Sequence, residues 1–229
     1  TLQENLVLQS YYTRRFQNHG FLKFDAIRQY AKMLIEKFDI RSSQGEKSIA
    51  RGMSGGNQQK AIIARELDRN PEIVIAVQPV RGLDVGAIEY IHKQLIEQRD
   101  AGKAVLLVSL ELDEVMNVSD RIIVMYCGKI VEEGTVDQVI HHPAHPYTKG
   151  LQDSVPKLRV QQARLDYIPG MVPSMFDLPS GCLFAPRCKY CTPECHRTFP
   201  EKHDLGGGHY VACIHALRDD ESSMPGRDA

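Results

Sequence analysis

The chain has 229 residues, of which 42% are hydrophobic and 25% charged, with a formal net charge of -1. Such a composition is ordinary for a globular protein with one substantial core and a small appendage. The near-zero charge gives no reason to expect a nucleic-acid surface, and no apolar run reaches the roughly 18 residues of a membrane span. The N-terminal TLQENLVLQS lacks a secretion signal and an initiator Met, so we expect the chain to begin inside a longer protein.

Residues 1–70 are predicted to form a helical subdomain. In FDAIRQYAKMLIEKFDI the apolar residues recur at helical spacing, namely Ile27, Tyr30, Leu34 and Phe38. Asp25 is the predicted N-cap of this helix. A second helix is predicted to open at MSGGNQQK and to run through Arg69.

Residues 71–134 are predicted to form part of an α/β core. Three continuous apolar runs predict strands that helices cover on both faces, at Ile73 to Val77, Val105 to Val108 and Ile122 to Met125. A helix from about Ala87 to Asp100, ended by Gly102, separates the first two runs. The order strand, helix, strand predicts parallel pairing. Cys127-Gly128 is the predicted turn of a hairpin that follows.

Residues 135–216 differ in composition, because proline and histidine become frequent and five cysteines lie close together. Residues 217–229 are predicted to be a disordered tail. The histidines of the proline-rich part and one further on are expected to be solvated, namely His141, His142, His145 and His203. Tyr147 is expected to pack against the core.

The loop MSGGNQQK has the features of a phosphate-binding helix start. Two glycines let the backbone approach a ligand, Ser54 offers a hydroxyl, and the helix N-terminus presents free N–H groups. Taken alone, this opening is more often a serine-capped helix that follows a flexible loop. The sequence beyond it decides between the two readings.

An apolar strand, EIVIAVQPVRGLD, begins about 13 residues after that helix start, and a helix and the strand AVLLVS follow. This order resembles the ABC ATPase family, in which the signature motif precedes the Walker B strand, the D-loop and the H-loop. MSGGNQQK matches the signature and RGLD matches the D-loop, with Asp84 at its end. The Asn-Gln-Gln-Lys form is similar to the second nucleotide-binding half of simple sugar and nucleoside importers, over residues 1–133.

The resemblance also marks positions where the chain departs from the family. No GxxxxGK[ST] motif exists in the sequence, so the P-loop is expected upstream of Thr1. Val77 occupies the Walker B Asp position, Gln78 the catalytic Glu position and Leu110 the H-loop His position. None of the three can perform the family's metal-binding or proton-transfer chemistry. The chain is therefore not expected to hydrolyse ATP by itself.

The residues that the family donates across its dimer are present, namely Ser54, Gly55, Gly56 and Gln58. The resemblance implies that they contact ATP with Mg²⁺ held mainly by a second nucleotide-binding domain, and that Asp84 shapes the dimer seam. It also implies integral-membrane permease subunits as partners, a substrate-binding protein as an indirect one, and no nucleic acid. The expected location is the cytoplasmic face of a bacterial plasma membrane.

A second resemblance covers residues 136–215, where HPAHPYTKGLQDSVPKL, IPGMVP and LPSGCLFAPRC follow one another. This segment is similar to the C-terminal extension of oligopeptide and dipeptide importer ATPases. Its cysteines follow C-x5-C-x6-C-x17-C, at Cys182, Cys188, Cys195 and Cys213. In that branch the matching cysteines imply a [4Fe–4S] cluster; tetrahedral zinc and free thiols or disulfides are the alternatives.

The predicted fold is thus α/β, a partial ABC ATPase domain without the P-loop portion, followed by a cysteine-rich extension. The predicted function is an energy-coupling component of an importer for nucleosides, simple sugars or oligopeptides. Two alternatives remain open at this point: a metal- or iron–sulfur-binding regulatory module, and a fragment without a function of its own.

Overall fold

The computed structural model describes residues 1–155 and 167–217. The chain divides into two compact units, residues 1–118 and residues from 119 onward. The sequence-based boundaries after residues 70, 134 and 216 stay predictions. Residues 218–229, which are nearly all of the predicted disordered tail, lie outside the described residues.

The first unit contains α-helices and two small pairs of strands. Its helices are α1 (Leu2–Val7), α2 (Phe24–Lys37), α3 (Gly55–Leu67), α4 (Val85–Asp100) and α5 (Leu112–Val118). Its strands are β1 (Gln17–Asn18), β2 (Phe21–Leu22), β3 (Ile73–Val77) and β4 (Ala104–Val108). The strands β1 and β2 are antiparallel, whereas β3 and β4 are parallel, as predicted for a strand–helix–strand unit.

The start of α2 differs from the prediction. Lys23 occupies the N-cap position, and Asp25 lies within the first turn. There its carboxylate accepts a hydrogen bond from Arg28 Nη1 at 3.1 Å. An acidic residue is favourable in a first turn even when it is not the cap, because the helix dipole is positive there. The capping preference of aspartate therefore predicted the start of α2 only to within two residues.

The core of the first unit joins the helices to one face of the parallel pair. Its buried apolar side chains come from α1 (Leu2, Leu6, Val7), α2 (Ile27, Ala31, Leu34), α3 (Ala61, Ala64, Leu67) and α4 (Ile91, Leu95). Val74, Ala76, Val105 and Leu107 of the strands pack against them. Alternate strand residues thus point into this core, which is the period-two pattern of a β-strand.

The other face of β3 and β4 is exposed within the described residues, which corrects the prediction that both faces are covered. Ile73, Ile75 and Val77 are 64%, 64% and 63% exposed, and Leu106 and Val108 are also open. The helices of this unit pack on one side only, so the apolar run is half buried. An unbroken apolar run predicts a strand reliably but does not reveal which neighbours cover it.

The second unit is built on an antiparallel sheet. It contains β5 (Arg121–Tyr126), β6 (Lys129–Thr135), β7 (His203–Gly206) and β8 (His209–Val211), with the strand order β5-β6-β8-β7. The helices α6 (Val136–His141) and α7 (Pro146–Asp153) follow β6. Cys127 and Gly128 form the predicted hairpin turn, with φ angles of 47° and 76°.

Two small apolar clusters stabilise the second unit. One contains Tyr126, Val131, Leu183 and Phe184, and the other contains Ala144, Val211 and Cys213. Tyr147 packs against the first cluster, with its ring 4.7 Å from that of Tyr126 and 5.4 Å from that of Phe184. In residues 1–155 and 167–217 no helix combines the length and the apolarity needed to cross a lipid bilayer.

Candidate functional site

The signature loop ends at Ser54, the N-cap of α3. Ser54 has extended dihedral angles, φ −61° and ψ 152°, and its carbonyl accepts the Gln58 N–H at 2.9 Å. Its hydroxyl does not cap the helix. Instead Ser54 Oγ accepts a hydrogen bond from Asn57 Nδ2 at 2.9 Å, and Gln58 Nε2 donates to the Met53 carbonyl at 2.8 Å. These contacts hold the turn in one conformation.

The turn presents polar groups to solvent. Ser54, Gly55 and Gln58 are exposed, whereas Gly56 is buried. The N–H groups before Gln58 have no carbonyl to reach within the helix, since an α-helix bonds each N–H to the carbonyl four residues earlier. A hydroxyl and unpaired N–H groups at the positive end of a 13-residue helix form an arrangement suited to a phosphate.

Gly56 lies where the starts of α3 and α4 approach most closely. A Cβ atom on Gly56 would lie 3.0 Å from Ala87 Cβ and 3.7 Å from Asp84 Oδ2, so only glycine fits without displacement. On Gly55 a Cβ would meet only Leu83 Cδ2, at 3.5 Å, which is an ordinary contact. The two adjacent glycines therefore differ. Gly56 is needed for the packing of α3 on α4, whereas Gly55 leaves the backbone of the turn accessible.

Asp84 is the N-cap of α4, and its Oδ1 accepts the Ala87 N–H at 2.9 Å. The side chain is exposed apart from this bond and lies beside the buried Gly56. The structure thus brings the predicted D-loop residue next to the signature turn. Its role at a dimer seam stays a prediction.

The three positions that depart from the family pattern lie at one edge of the parallel pair. Val77 is paired with Val108 at the carboxyl ends of β3 and β4. Gln78 follows with a positive φ of 50° and donates its N–H to the Val108 carbonyl at 2.8 Å. Leu110 is 84% exposed at the same edge. None of these side chains is a carboxylate or an imidazole.

The four spaced cysteines of the second unit line one cavity. Cys182, Cys188, Cys195 and Cys213 share its wall with His145, Phe184, Tyr190 and His215. No disulfide forms among the six cysteines, all of which are in the described part of the chain. In residues 1–155 and 167–217, however, no three His, Cys, Asp or Glu side chains are arranged closely enough to hold a metal ion.

Gly181 allows two cysteine-bearing segments to meet. A Cβ atom on this residue would lie 2.3 Å from the Cys195 carbonyl oxygen and 2.6 Å from the His196 carbonyl carbon. At this close approach the Cys182 N–H donates to the Cys195 carbonyl at 2.7 Å. The glycine before the first cysteine is therefore required for the cavity to form.

Burial keeps the thiols of Cys182, Cys188 and Cys213 protonated when no cation is bound. It raises the pKa of Cys188 to about 11 and that of Cys213 to about 12, and it also raises the pKa of Cys182. The neighbouring cysteines add to each shift, because several negative sulfur atoms would repel one another. A bound cation would reverse this balance, since metals bind the thiolate form.

His145 is buried, at 1% exposure, which corrects the expectation that it is solvated. His141, His142 and His203 are exposed as expected. Glu132 is fully buried, and its carboxylate binds the backbone at and just before His145. Its two oxygens accept the Ala144 N–H at 2.7 Å and the His145 N–H at 2.9 Å.

Glu132 also contacts a histidine side chain, because His209 Nε2 lies 2.8 Å from Glu132 Oε1. Sequence reasoning missed the group of Glu132, His145 and His209, because a carboxylate in a strand and two distant histidines form no local motif. A Pro at the first position of α7 was the one signal that His145 precedes a helix start.

Comparison with known proteins agrees with the two resemblances. Residues 131–195 match the family model described as the oligopeptide/dipeptide transporter C-terminal region. The chain is 58% identical over 130 residues to the nucleoside import ATP-binding protein NupA of Lactococcus lactis subsp. cremoris, covering 57% of this chain and 26% of that protein. It is 39% identical over 155 residues to the dipeptide transport ATP-binding protein DppD of Haemophilus influenzae, covering 67% and 47%.

Among solved structures, an ATP-binding cassette of an ABC transporter superposes with a TM-score of 0.49 at 25% identity, covering 62% of this chain and 60% of the other. The chain spans about a quarter to a half of the length of the two curated relatives named above. The sequence matches confirm that it resembles ABC transporter ATP-binding proteins, as a partial α/β ATPase domain followed by a region of the peptide-importer type.

Proposed function

We propose that this chain serves an ABC importer as the signature-donating half of a composite ATP site. The observation that carries the proposal is the exposed turn at Ser54, Gly55 and Gln58, held at the N-terminus of α3 by the close packing of Gly56 on α4. Its donors face solvent, so they are available to a γ-phosphate that another domain holds. The 58% identity to a nucleoside import ATP-binding protein supports this choice.

In this proposal a second nucleotide-binding domain holds ATP with Mg²⁺ and carries out hydrolysis. This chain would stabilise charge on the phosphate through a hydroxyl and backbone N–H groups. Val77, Gln78 and Leu110 supply neither a metal ligand nor a base at the edge where the family has them. The site built around this edge would therefore bind nucleotide more readily than it cleaves it.

For partners and location we propose permease subunits at the cytoplasmic face of a bacterial membrane, with a substrate-binding protein as an indirect partner. The helical region of the first unit is the proposed permease-docking part. Because this region belongs to the segment that resembles nucleoside importers, we propose nucleosides or simple sugars as the substrate class. The match of residues 131–195 to the peptide-transporter region favours oligopeptides as the second candidate.

For the second unit we propose that Cys182, Cys188, Cys195 and Cys213 hold a metal group, a [4Fe–4S] cluster or zinc. The support for this proposal is that four thiols line one cavity and that Gly181 permits the approach of two of their segments. In the described residues these side chains do not lie close enough together to hold a metal ion as they stand, so binding would require them to move closer. When bound, the group would supply the positive charge that keeps these buried sulfur atoms deprotonated.

Substitution of Ser54 by Arg in the assembled importer tests the proposed role of the turn. The larger, cationic side chain fills the space in front of the helix, so we expect ATP turnover to fall at least about tenfold, equivalent to about 1.4 kcal/mol. Ser43→Arg is the matched control, because Ser43 is an exposed serine of the same unit outside the turn. Equal turnover in the two variants would refute the role.

The assembled importer in lipid vesicles distinguishes the substrate classes. Uptake of labelled guanosine that depends on ATP supports the nucleoside class, and uptake of a labelled dipeptide supports the peptide class. A second candidate function, a metal-dependent regulatory module, is favoured by the shared cysteine cavity. ATP turnover that depends on the metal group but not on any permease would support that function instead.

A further inference from the structure

Cys191 is the fifth cysteine of the second unit, and it is not among the residues that line the cavity of the other four. It is reduced and half-buried, whereas Cys195 and Cys213 are buried. Its Sγ lies 3.2 Å from Nε2 of His196, an exposed residue, and it donates to the Thr192 carbonyl at 3.5 Å. A small polar solute can therefore approach this sulfur from solvent.

A single turn of the chain joins Cys191 to Cys188. The Cys191 N–H donates to the Cys188 carbonyl at 3.2 Å, and Lys189 and Tyr190 form the turn between them. A four-residue turn keeps its first and last Cα atoms within about 7 Å of each other. A disulfide requires a Cα separation of about 4.4 to 6.8 Å. The backbone therefore places these two cysteines at a separation that a disulfide can span.

The side chains of the two cysteines also lie near each other. Burial raises the pKa of Cys188 to about 11, and the charges of neighbouring cysteines, Cys191 among them, add to the shift. Such a charge acts on Cys188 only over a short distance, so the two sulfur atoms are neighbours. Because Cys188 lines the cavity and Cys191 contacts an exposed histidine, Cys191 is the sulfur that an oxidant meets first.

We propose that Cys188 and Cys191 are a redox modification site, at which a hydroperoxide oxidises Cys191 and the two residues then form a reversible disulfide. The spacing C-x2-C is typical of cysteine pairs that undergo thiol–disulfide exchange. This inference goes beyond the proposed function and does not rest on it, because it concerns the reduced thiols without any metal group.

The reaction consumes two thiols and one molecule of hydrogen peroxide and yields the disulfide and two molecules of water. In the first step the Cys191 sulfur attacks a peroxide oxygen, the O–O bond breaks, and the departing hydroxide takes the thiol proton as water. In the second step the Cys188 sulfur attacks the resulting sulfenic acid, an S–S bond forms and the S–O bond breaks. The hydroxide that leaves takes the Cys188 proton. The two sulfur atoms together lose two electrons, which the peroxide gains.

Mapping of the disulfide in the full chain tests the proposal. The chain is purified with a reductant and a chelator, both are removed, and hydrogen peroxide is added. Trypsin separates Cys188 from Cys191 because Lys189 lies between them, and cleavage after Glu194 separates Cys191 from Cys195. We expect mass spectrometry to find the Cys188 peptide linked to the Cys191 peptide. Two thiols per chain should be lost, and dithiothreitol should restore both.

Cys191→Ser should lose its thiols to hydrogen peroxide at least about tenfold more slowly than the wild type, because the accessible sulfur is gone. Cys127→Ser is the matched control, since Cys127 is a half-buried cysteine of the same unit in the hairpin turn. A link from Cys191 to any cysteine other than Cys188, or thiols that stay reduced, would overturn the proposal.

The map of the wild-type chain gives this result even if a variant fails to fold, and urea unfolding checks the fold of each variant. The iron, sulfide and zinc contents of protein purified without the chelator are a separate measurement. They test the proposed metal group and leave the proposed disulfide unaffected.

Discussion

Tyr30 joins α2 to the end of α3 through a hydrogen bond from its hydroxyl to Asp68 Oδ2 at 2.9 Å. Lys37 Nζ donates to the other oxygen of the same carboxylate at 2.8 Å. Burial acts to raise the pKa of Asp68, but the bonds from Lys37 and Tyr30 outweigh it, so this pKa lies below its usual range. Burial, followed by the Asp68 carboxylate, raises the pKa of Tyr30 to about 12.

The raised pKa values of Tyr30 and Tyr90 predict that the protein loses stability at alkaline pH. An unfolded tyrosine releases its proton near pH 10, whereas Tyr30 and Tyr90 hold theirs to about pH 12. Between these pH values the native state binds more protons than the unfolded state, so the free energy of unfolding falls as pH rises. The stabilisation is complete below about pH 10 and is lost towards pH 12.

Tyr30→Phe should therefore cost about 1 kcal/mol of unfolding free energy at pH 8, through the lost hydrogen bond. From pH 8 to pH 11.5 it should lose less stability than the wild type, because the hydroxyl of Tyr30 no longer contributes to the loss. Urea unfolding followed by circular dichroism measures both values. Tyr12→Phe, at an exposed tyrosine, serves as the control. An equal alkaline loss in wild type and Tyr30→Phe would contradict the assignment.

At the scale of elements, the approach of α3 to α4 positions the signature turn. The starts of the two helices meet at Gly56 and Ala87, and the cap at Asp84 fixes where α4 begins. Proteins are densely packed at such contacts and do not absorb an extra methyl group without displacement. The orientation of the turn thus depends on a packing contact that faces away from solvent.

Gly56→Ala should destabilise the first unit by about 1 to 2 kcal/mol, since overpacking outweighs the better helix propensity of alanine. Gly55→Ala is the matched control in the same turn, because its Cβ would make only an ordinary contact with Leu83. Urea unfolding of the two variants provides the measurement. Equal stabilities would show that the start of α3 can move away from α4 at no cost.

At the scale of the whole molecule, each apolar cluster lies within one unit. The large cluster of α1 to α4 belongs to residues 1–118, and the two smaller clusters belong to the residues that follow. A unit with its own core is expected to unfold cooperatively by itself. The metal group of the cysteine cavity would stabilise only the unit that binds it.

We therefore expect two unfolding transitions. If the proposed metal group binds, its removal should lower the second unit's transition and leave that of the first unit unchanged. Gly56→Ala should lower the first unit's transition and leave that of the second unit unchanged. Hydrogen exchange followed by mass spectrometry at increasing urea concentration assigns each transition to its segment. A single transition that both changes shift equally would contradict this expectation.

The sequence by itself determined the order of the elements from α2 to β4, their parallel pair β3–β4, the strand β5 with the hairpin turn at Cys127-Gly128, and the glycine-rich start of α3. Each of these depends on residues that are close together in the chain, so periodicity, turn residues and motif order reveal them. The same local signals identified the family resemblance and the four spaced cysteines.

Only the tertiary structure decided which groups are buried and which residues share a site. It left one face of the β3–β4 pair exposed, paired β6 with β8 and buried His145 beside the cysteines. It also showed that Gly56 and Gly181 are required by close contacts. These features depend on residues up to about eighty positions apart, and no local pattern encodes the contacts between them.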